Sequence, residues 1–167
     1  MVQEKIHTLT LLLGGNIGDV SQTIQKACSL LSSRIGNIVL RSALYESESW
    51  GFTDKRNFIN QAITMHTNLE AEQCLEICLH IEKELGRVRN TTMGYTSRSI
   101  DIDILFFNSD VIELPHLQVP HPHIEKRRFA LMPLVEILPG FKHPVSYKTV
   151  TELLKICPDK GKVTVLF

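Results

Sequence analysis

The sequence lacks a long apolar run, an excess of charge, a paired cysteine spacing and a phosphate-loop signature, and each lack removes a class of protein. No apolar stretch approaches the roughly 20 residues that span a bilayer, so no membrane partner is expected. The opening Met-Val-Gln-Glu-Lys leads straight into a strand-like pattern, and no secretory leader is expected from it. Lysine plus arginine equals aspartate plus glutamate, at 18 each, so the net charge is zero. There is no basic field to gather nucleic acid, and affinity for phosphate has to come from local clustering. Cys28, Cys74, Cys78 and Cys157 include no C-x-x-C pair. Cys74 and Cys78 stand one helical turn apart on an apolar face, which suits buried, reduced thiols better than zinc. A cytoplasmic location follows. Gly14-Gly15-Asn16-Ile17-Gly18-Asp19 is not followed by Gly-Lys-Ser/Thr and does not match G-x-G-x-x-G. It reads as a tight strand-to-helix turn, in which glycine permits positive φ and close backbone approach.

What is present is ordinary globular material. The chain has 167 residues, 43% apolar and 22% charged, the size and make-up of a single domain over 1–167. Residues 6–13 read as a buried strand. Asp19 with Gln22 resembles a capping box, and Ile24, Ala27, Cys28, Leu31 and Ile35 carry helical spacing up to a natural stop at Gly36. Residues 37–46 read as one strand with Ile38 and Leu40 on one face, and 58–66 as the next. Thr67-x-x-Glu70 predicts the cap of a second helix, whose stripe is Cys74, Cys78, Ile81 and Leu85, ended by Gly86. Glu82 lies beside that stripe near the helix C-terminus, where a carboxylate needs donors or positive charge to offset the dipole. Val111-Ile112 predicts a short strand. Pro120 and Pro122 rigidify the loop that holds His121 and His123, the apolar segment 130–138 is broken by Pro133, 149–157 is a last short helix, and 162–167 an edge strand. The order predicts an α+β domain: a ferredoxin-like three-layer α/β/α arrangement with a mostly antiparallel central sheet.

The informative stretch is Arg98-Ser-Ile100-Asp101-Ile102-Asp103-Ile104-Leu105. The isoleucines fall on one side of an extended chain and the aspartates on the other. Two carboxylates held about 7 Å apart on one strand face repel unless a cation bridges them or one takes a proton. A pair of divalent ions is a known answer and a device of phosphoryl chemistry. Arg87, Arg89 and Arg98 lie just upstream, and His121, Arg127 and Arg128 downstream. Six cationic groups around one acidic strand make a shape for a polyphosphate, with metals on one side and guanidinium forks on the other. On the residues alone, three readings stand: a phosphoryl-transfer enzyme, a metal-dependent phosphohydrolase or nuclease on the same aspartates, and a non-catalytic ferredoxin-like binding domain with solvated carboxylates. The hydrolase would usually want a third carboxylate. His121-x-His123 does not read as a zinc pair, for want of further ligands.

In combination, the motifs resemble those of the 6-hydroxymethyl-7,8-dihydropterin pyrophosphokinases of folate biosynthesis. The resemblance runs almost end to end. It rests on 13–19, on Tyr45-Glu46-Ser47 with Gly51-Phe52 and Phe58-Ile59-Asn60, and on Glu82 with Gly86-Arg87-Val88-Arg89. It continues through Arg98 to Leu105, Pro120-His121-Pro122-His123, Arg127-x-Phe129 and Pro133-Leu134-x-Glu136. Gly15 stands where serine is common in the family, and Ser47 where many members have threonine. The resemblance implies transfer of pyrophosphate from ATP, as co-substrate, to the pterin's hydroxymethyl group, with release of AMP. It implies that Asp101 and Asp103 bind two Mg2+ ions, that Phe58 and Phe129 stack on the pterin ring, and that Asn60 reads the ring's edge, with Ser47, Trp50 and Gly51 completing it. It further implies that Arg87, Arg98, His121 and Arg127 hold ATP phosphates, with Glu82 and Ile104 near the nucleotide and Arg89 on a loop that closes over it. The implied partners are small molecules only. A monomer is expected, with a dimer through C-terminal strand pairing as the alternative.

Overall fold

The computed structural model describes residues 3–49, 56–86 and 99–166. Six strands form one sheet. Its main path runs β5 (Asp101–Phe107), β1 (His7–Gly15), β4 (Phe58–Thr67), β3 (Leu44–Ser47) and β8 (Val163–Leu166), with β2 (Gly36–Arg41) pairing the other end of β4. Every pairing in this sheet is antiparallel. A separate hairpin joins β6 (Ile112–Leu114) to β7 (Leu117–Val119).

The helices cover both faces. On one side lie α1 (Val20–Arg34) and α2 (Ala71–Glu84), whose buried Ile24, Leu31, Cys74, Cys78 and Ile81 share a core with Leu9, Leu11, Leu13, Ile63, Met65, Ile100, Ile102 and Ile104. On the other lie α3 (Arg128–Ile137) and α4 (Val150–Ile156), whose Ala130, Leu131, Leu134 and Leu153 pack with Leu12, Ala62, Leu105 and Phe106. The three-layer arrangement and the antiparallel sheet agree with the sequence expectation. Strand alternation divides β1, β4 and β5 between the two cores. All four cysteines are buried free thiols, and burial raises the Cys74 thiol to about 11.

Several local expectations change. Gly14 and Gly15 belong to β1, and the turn begins after them, with Gly18 at φ +72°. Asp19 does cap α1, its Oδ1 accepting the Gln22 N–H at 3.1 Å. Gly36 opens β2 instead of capping α1, whose C-cap is Ile35. The expected strand 37–46 is two strands, parted at Ser42-Ala43; both pair with β4, and a bulge between Ile38 and Leu40 breaks their shared face. The cap of α2 lies three residues later than expected: the Gln73 side chain accepts the Glu70 N–H at 2.9 Å. Thr67 Oγ1 donates to the Ile35 carbonyl at 2.8 Å and accepts the Leu69 N–H. Pro133 does not break α3, which runs on to Ile137. Thr149 and Glu152 form a capping box at α4. Among the described residues, no helix is long and apolar enough to cross a membrane.

Candidate active site

Register assembles the site. Asp101 lies opposite Gly14, Gly14 opposite Asn60, and Asn60 opposite Tyr45, one row across β5, β1, β4 and β3. The next row is Asp103, Leu12 and Ala62. Ser47 pairs with Phe58 at the far end of β4. Leu12 and Ala62 belong to the α3-side core, and alternate residues of a strand share a face. Asp101, Asp103, Asn60, Phe58 and Ser47 therefore all leave the sheet on the α3 side. Asp101 and Asp103 are partly accessible, whereas Ile100, Ile102 and Ile104 between and beside them are buried on the other face. Farther along the same strand, a bulge opposite Thr10 and Leu11 shifts the alternation. Leu105 and Phe106 then both enter the α3-side core, and the polar patch ends there.

The Pro-His loop is pinned to this strand. His121 N–H donates to the Leu105 carbonyl at 3.0 Å. The His123 N–H donates to His121 Nδ1 at 3.1 Å, so the proton of a neutral His121 is carried on Nε2. Burial, then Arg127 and His123, lower the His121 pKa to about 4, against an upward pull from Asp101. His121 is thus a neutral donor near pH 7, and its place among the cations expected around the aspartates is corrected. Arg127 is 8% exposed, and its guanidinium carbon lies 5.7 Å from the Phe129 ring centroid, within range of a cation–π contact. Phe129, at the start of α3, packs against the α3-side core, on the carboxylate side of the sheet.

Glu82 is 2% exposed and its Oε1 accepts the Ile102 N–H at 3.4 Å, which supplies a donor of the kind its position called for. Ile104 sends its side chain into the opposite core, so any contact with a nucleotide falls to its main chain. Trp50, Gly51, Arg87, Arg89 and Arg98 lie outside the described residues. Among the described residues, Ser47 Oγ is buried with no hydrogen-bond partner, as a group left for a ligand would be.

Two features escaped the sequence reading. Glu136 on α3 accepts the Ala43 N–H with both oxygens at 3.1 Å and the Tyr45 hydroxyl at 2.6 Å. Burial and that carboxylate raise the Tyr45 phenol to about 12. The strut joins the helix that starts beside Phe129 to the strand that carries Ser47. The sequence signals were Glu136 inside an apolar helix and the place of both residues in the motifs, neither of which pairs them. The second is Gly14, whose place in the row makes it a neighbour of Asn60 and Asp101.

Residues 10–139 match the family described as 7,8-dihydro-6-hydroxymethylpterin-pyrophosphokinase (HPPK). The 2-amino-4-hydroxy-6-hydroxymethyldihydropteridine pyrophosphokinase of Aquifex aeolicus is 40% identical over 145 residues, covering 87% of this chain and 89% of its own. The Bacillus subtilis protein of the same name is 37% identical over 155 residues, covering 92% of each. A crystal structure of Plasmodium falciparum HPPK-DHPS with pteroate superimposes with a TM-score of 0.74 at 17% identity, over 92% of this chain. The present chain spans 44% of that longer one, and the likeness concerns the fold. On the strength of the sequence match over most of its length, the chain belongs to the 7,8-dihydro-6-hydroxymethylpterin-pyrophosphokinase family.

Proposed function

We propose that the α3-facing polar patch carries out the reaction of this family, moving a pyrophosphoryl group from ATP to 6-hydroxymethyl-7,8-dihydropterin with release of AMP. The observation that carries the assignment is the shared face: two aspartates, an asparagine and two aromatic rings gathered on one side of the sheet beside Arg127 and His121.

The division of labour follows from chemistry. Phe58 and Phe129 suit stacking on a flat heterocycle. The Asn60 amide has both a donor and an acceptor for the ring's edge, and Ser47 Oγ, with groups near Trp50 and Gly51, completes that edge. Arg127 and the neutral His121 Nε2–H are donors for phosphate oxygens, joined by Arg87 and Arg98, with Arg89 on a closing loop. Glu82 and the Ile104 main chain border the nucleotide. Asp101 and Asp103 fit a hard cation: they are partly accessible oxygen donors on one face. Among the described residues, no cluster of three or more potential ligands adds to them, so phosphate oxygens and water would complete the coordination. Two Mg2+ ions held there would supply charge neutralisation on the triphosphate and a lowered pKa for the attacking alcohol. The protein orients that alcohol in line with the departing AMP oxygen and keeps water out; positioning and electrostatics, not covalent chemistry, carry the rate. Among the described residues no third side chain joins the two aspartates in a group that could hold a metal, which does not favour the phosphohydrolase reading.

We take residues 1–167 as one pyrophosphokinase domain that acts as a cytoplasmic monomer, with outer strand β8 as the edge a dimer would use. The test is product analysis with ATP, Mg2+ and the hydroxymethyl-dihydropterin. AMP and the pterin diphosphate should appear together, in equal amounts. ATP breakdown at the same rate with or without pterin would overturn the assignment in favour of hydrolysis.

A further inference from the structure

Gly14 occupies the middle of the row that joins Asp101 to Asn60. It is not there for its backbone: among the described residues, the glycines with positive φ are Gly18 and Gly86. It is there for what it lacks. A Cβ built on Gly14 would fall on Asn60 Oδ1, 3.0 Å from Asn60 Cγ and 3.2 Å from the Ile59 carbonyl. The Asn60 amide therefore lies over β1, in the space a side chain at 14 would fill. Asn60 is 4% exposed, and the next row on its face sets Leu12 and Ala62 nearest to it, with Asp103 beyond Leu12 on β5. An amide pushed from that space leaves the position it holds over β1.

We propose that Gly14 is a positioning residue for pterin recognition: the absence of a side chain there sets where the Asn60 amide presents its donor and acceptor. The inference rests on the assignment of Asn60 to the pterin edge. It gives the glycine of the first motif a role distinct from a phosphate turn.

Gly36 is a built-in control. A Cβ there would fall on the His66 carbonyl oxygen, 3.0 Å from its carbon and 3.2 Å from Thr67 Cα. That obstacle is backbone and cannot rotate away. Gly36→Ala should strain the β2–β4 pairing without touching the pterin edge. Gly14→Ala meets the tip of a side chain, so the fold can accommodate it while the amide moves.

The experiment is a double-mutant cycle on Gly14→Ala and Asn60→Ala. Binding of 6-hydroxymethyl-7,8-dihydropterin is measured by calorimetry in the presence of Mg2+ and a non-hydrolysable ATP analogue, with analogue affinity and Tm measured alongside. Asn60→Ala should weaken pterin binding by about 5- to 100-fold, the range for losing hydrogen bonds to a buried polar edge. Gly14→Ala should weaken it by at least about 5-fold, with analogue affinity unchanged. In the Asn60→Ala background, Gly14→Ala should add less than about 2-fold, and any Tm loss it causes alone should be relieved. Gly36→Ala should lower Tm more than Gly14→Ala does. A Gly14→Ala penalty of the same size in both backgrounds, or one shared by the ATP analogue, would overturn the inference, as would a double variant that stays unfolded. An Asn60→Ala variant with full pterin affinity would instead overturn the assignment of Asn60 itself.

Discussion

The two faces of β5 carry residues that are neighbours in sequence and opposites in environment. Ile100, Ile102 and Ile104 are buried among the residues of α1 and α2. Asp101 and Asp103 stay partly accessible beside the Pro-His loop. The apolar face anchors the strand, and the polar face is then held still without spending its own side chains on packing. The bulge before Phe106 marks where the division stops, because beyond it the α3 side also closes with Leu105 and Phe106. A site that needs charge beside a hydrophobic sandwich gets both from one strand, polar at one end and apolar at the other.

This contrast is broken most sharply by exchanging a residue on each face. Asp101→Ala or Asp103→Ala should cut AMP formation by about 10³-fold or more, since a preorganised charge at the reacting phosphates is lost, while the denaturation midpoint barely moves. Ile102→Ala should do the reverse, costing about 2–5 kcal/mol of stability for a buried aliphatic truncation. Aspartate variants that still form AMP at the normal rate would refute the metal role. Farther along the same face, Phe129→Ala should weaken pterin binding by about 5- to 100-fold, the usual worth of stacking on an aromatic ring, and affect the ATP analogue less. Equal loss of both ligands would count against stacking.

A smaller effect concerns pH. His121 titrates near 4 when folded and near 6.5 when unfolded. Between those values the unfolded chain binds more protons, so stability is highest above pH 6.5 and falls as pH drops toward 4, by up to about 3 kcal/mol from this group. Burial lowers His143 as well, which adds in the same direction. His121→Gln should flatten the dependence between pH 6.5 and 4.5, read as denaturation midpoints of the nucleotide-free protein. An unchanged slope would show that His121 is not held neutral. The smallest effect is expected at the strut between the layers: Tyr45→Phe should cost about 1 kcal/mol, one hydrogen bond. Glu136→Gln should lower the Tyr45 titration from about 12, detectable by the tyrosinate absorbance.

Local patterns were the most legible part of the chain. The alternation through Asp101 and Asp103, the Asp19 cap and the α1 and α2 stripes appear as expected, because each depends on a period or an offset of a few residues. Where two local options compete, distant partners chose. Thr67 had the right spacing to cap α2, yet its hydroxyl serves the Ile35 carbonyl, and Glu70 with Gln73 takes over. The segment from 37 to 46 has no glycine or proline to announce a break; the break is set by the length of β4, which pairs with β2 at one end and β3 at the other. The charge on His121 is not a property of its own segment, since its proton affinity depends on burial and on Arg127.

The sequence by itself determined that the two aspartates share a face, that this face is opposed by an apolar one, and which motifs accompany them, because alternation and spacing are properties of a single chain segment. Only the tertiary structure decided what lies across from them. Cross-strand register put Asn60 and Asp101 on either side of Gly14, turned the first glycine from a turn residue into a vacancy for an amide, and set Glu136 against Tyr45. Those contacts join residues tens of positions apart, and they come into being when the strands dock.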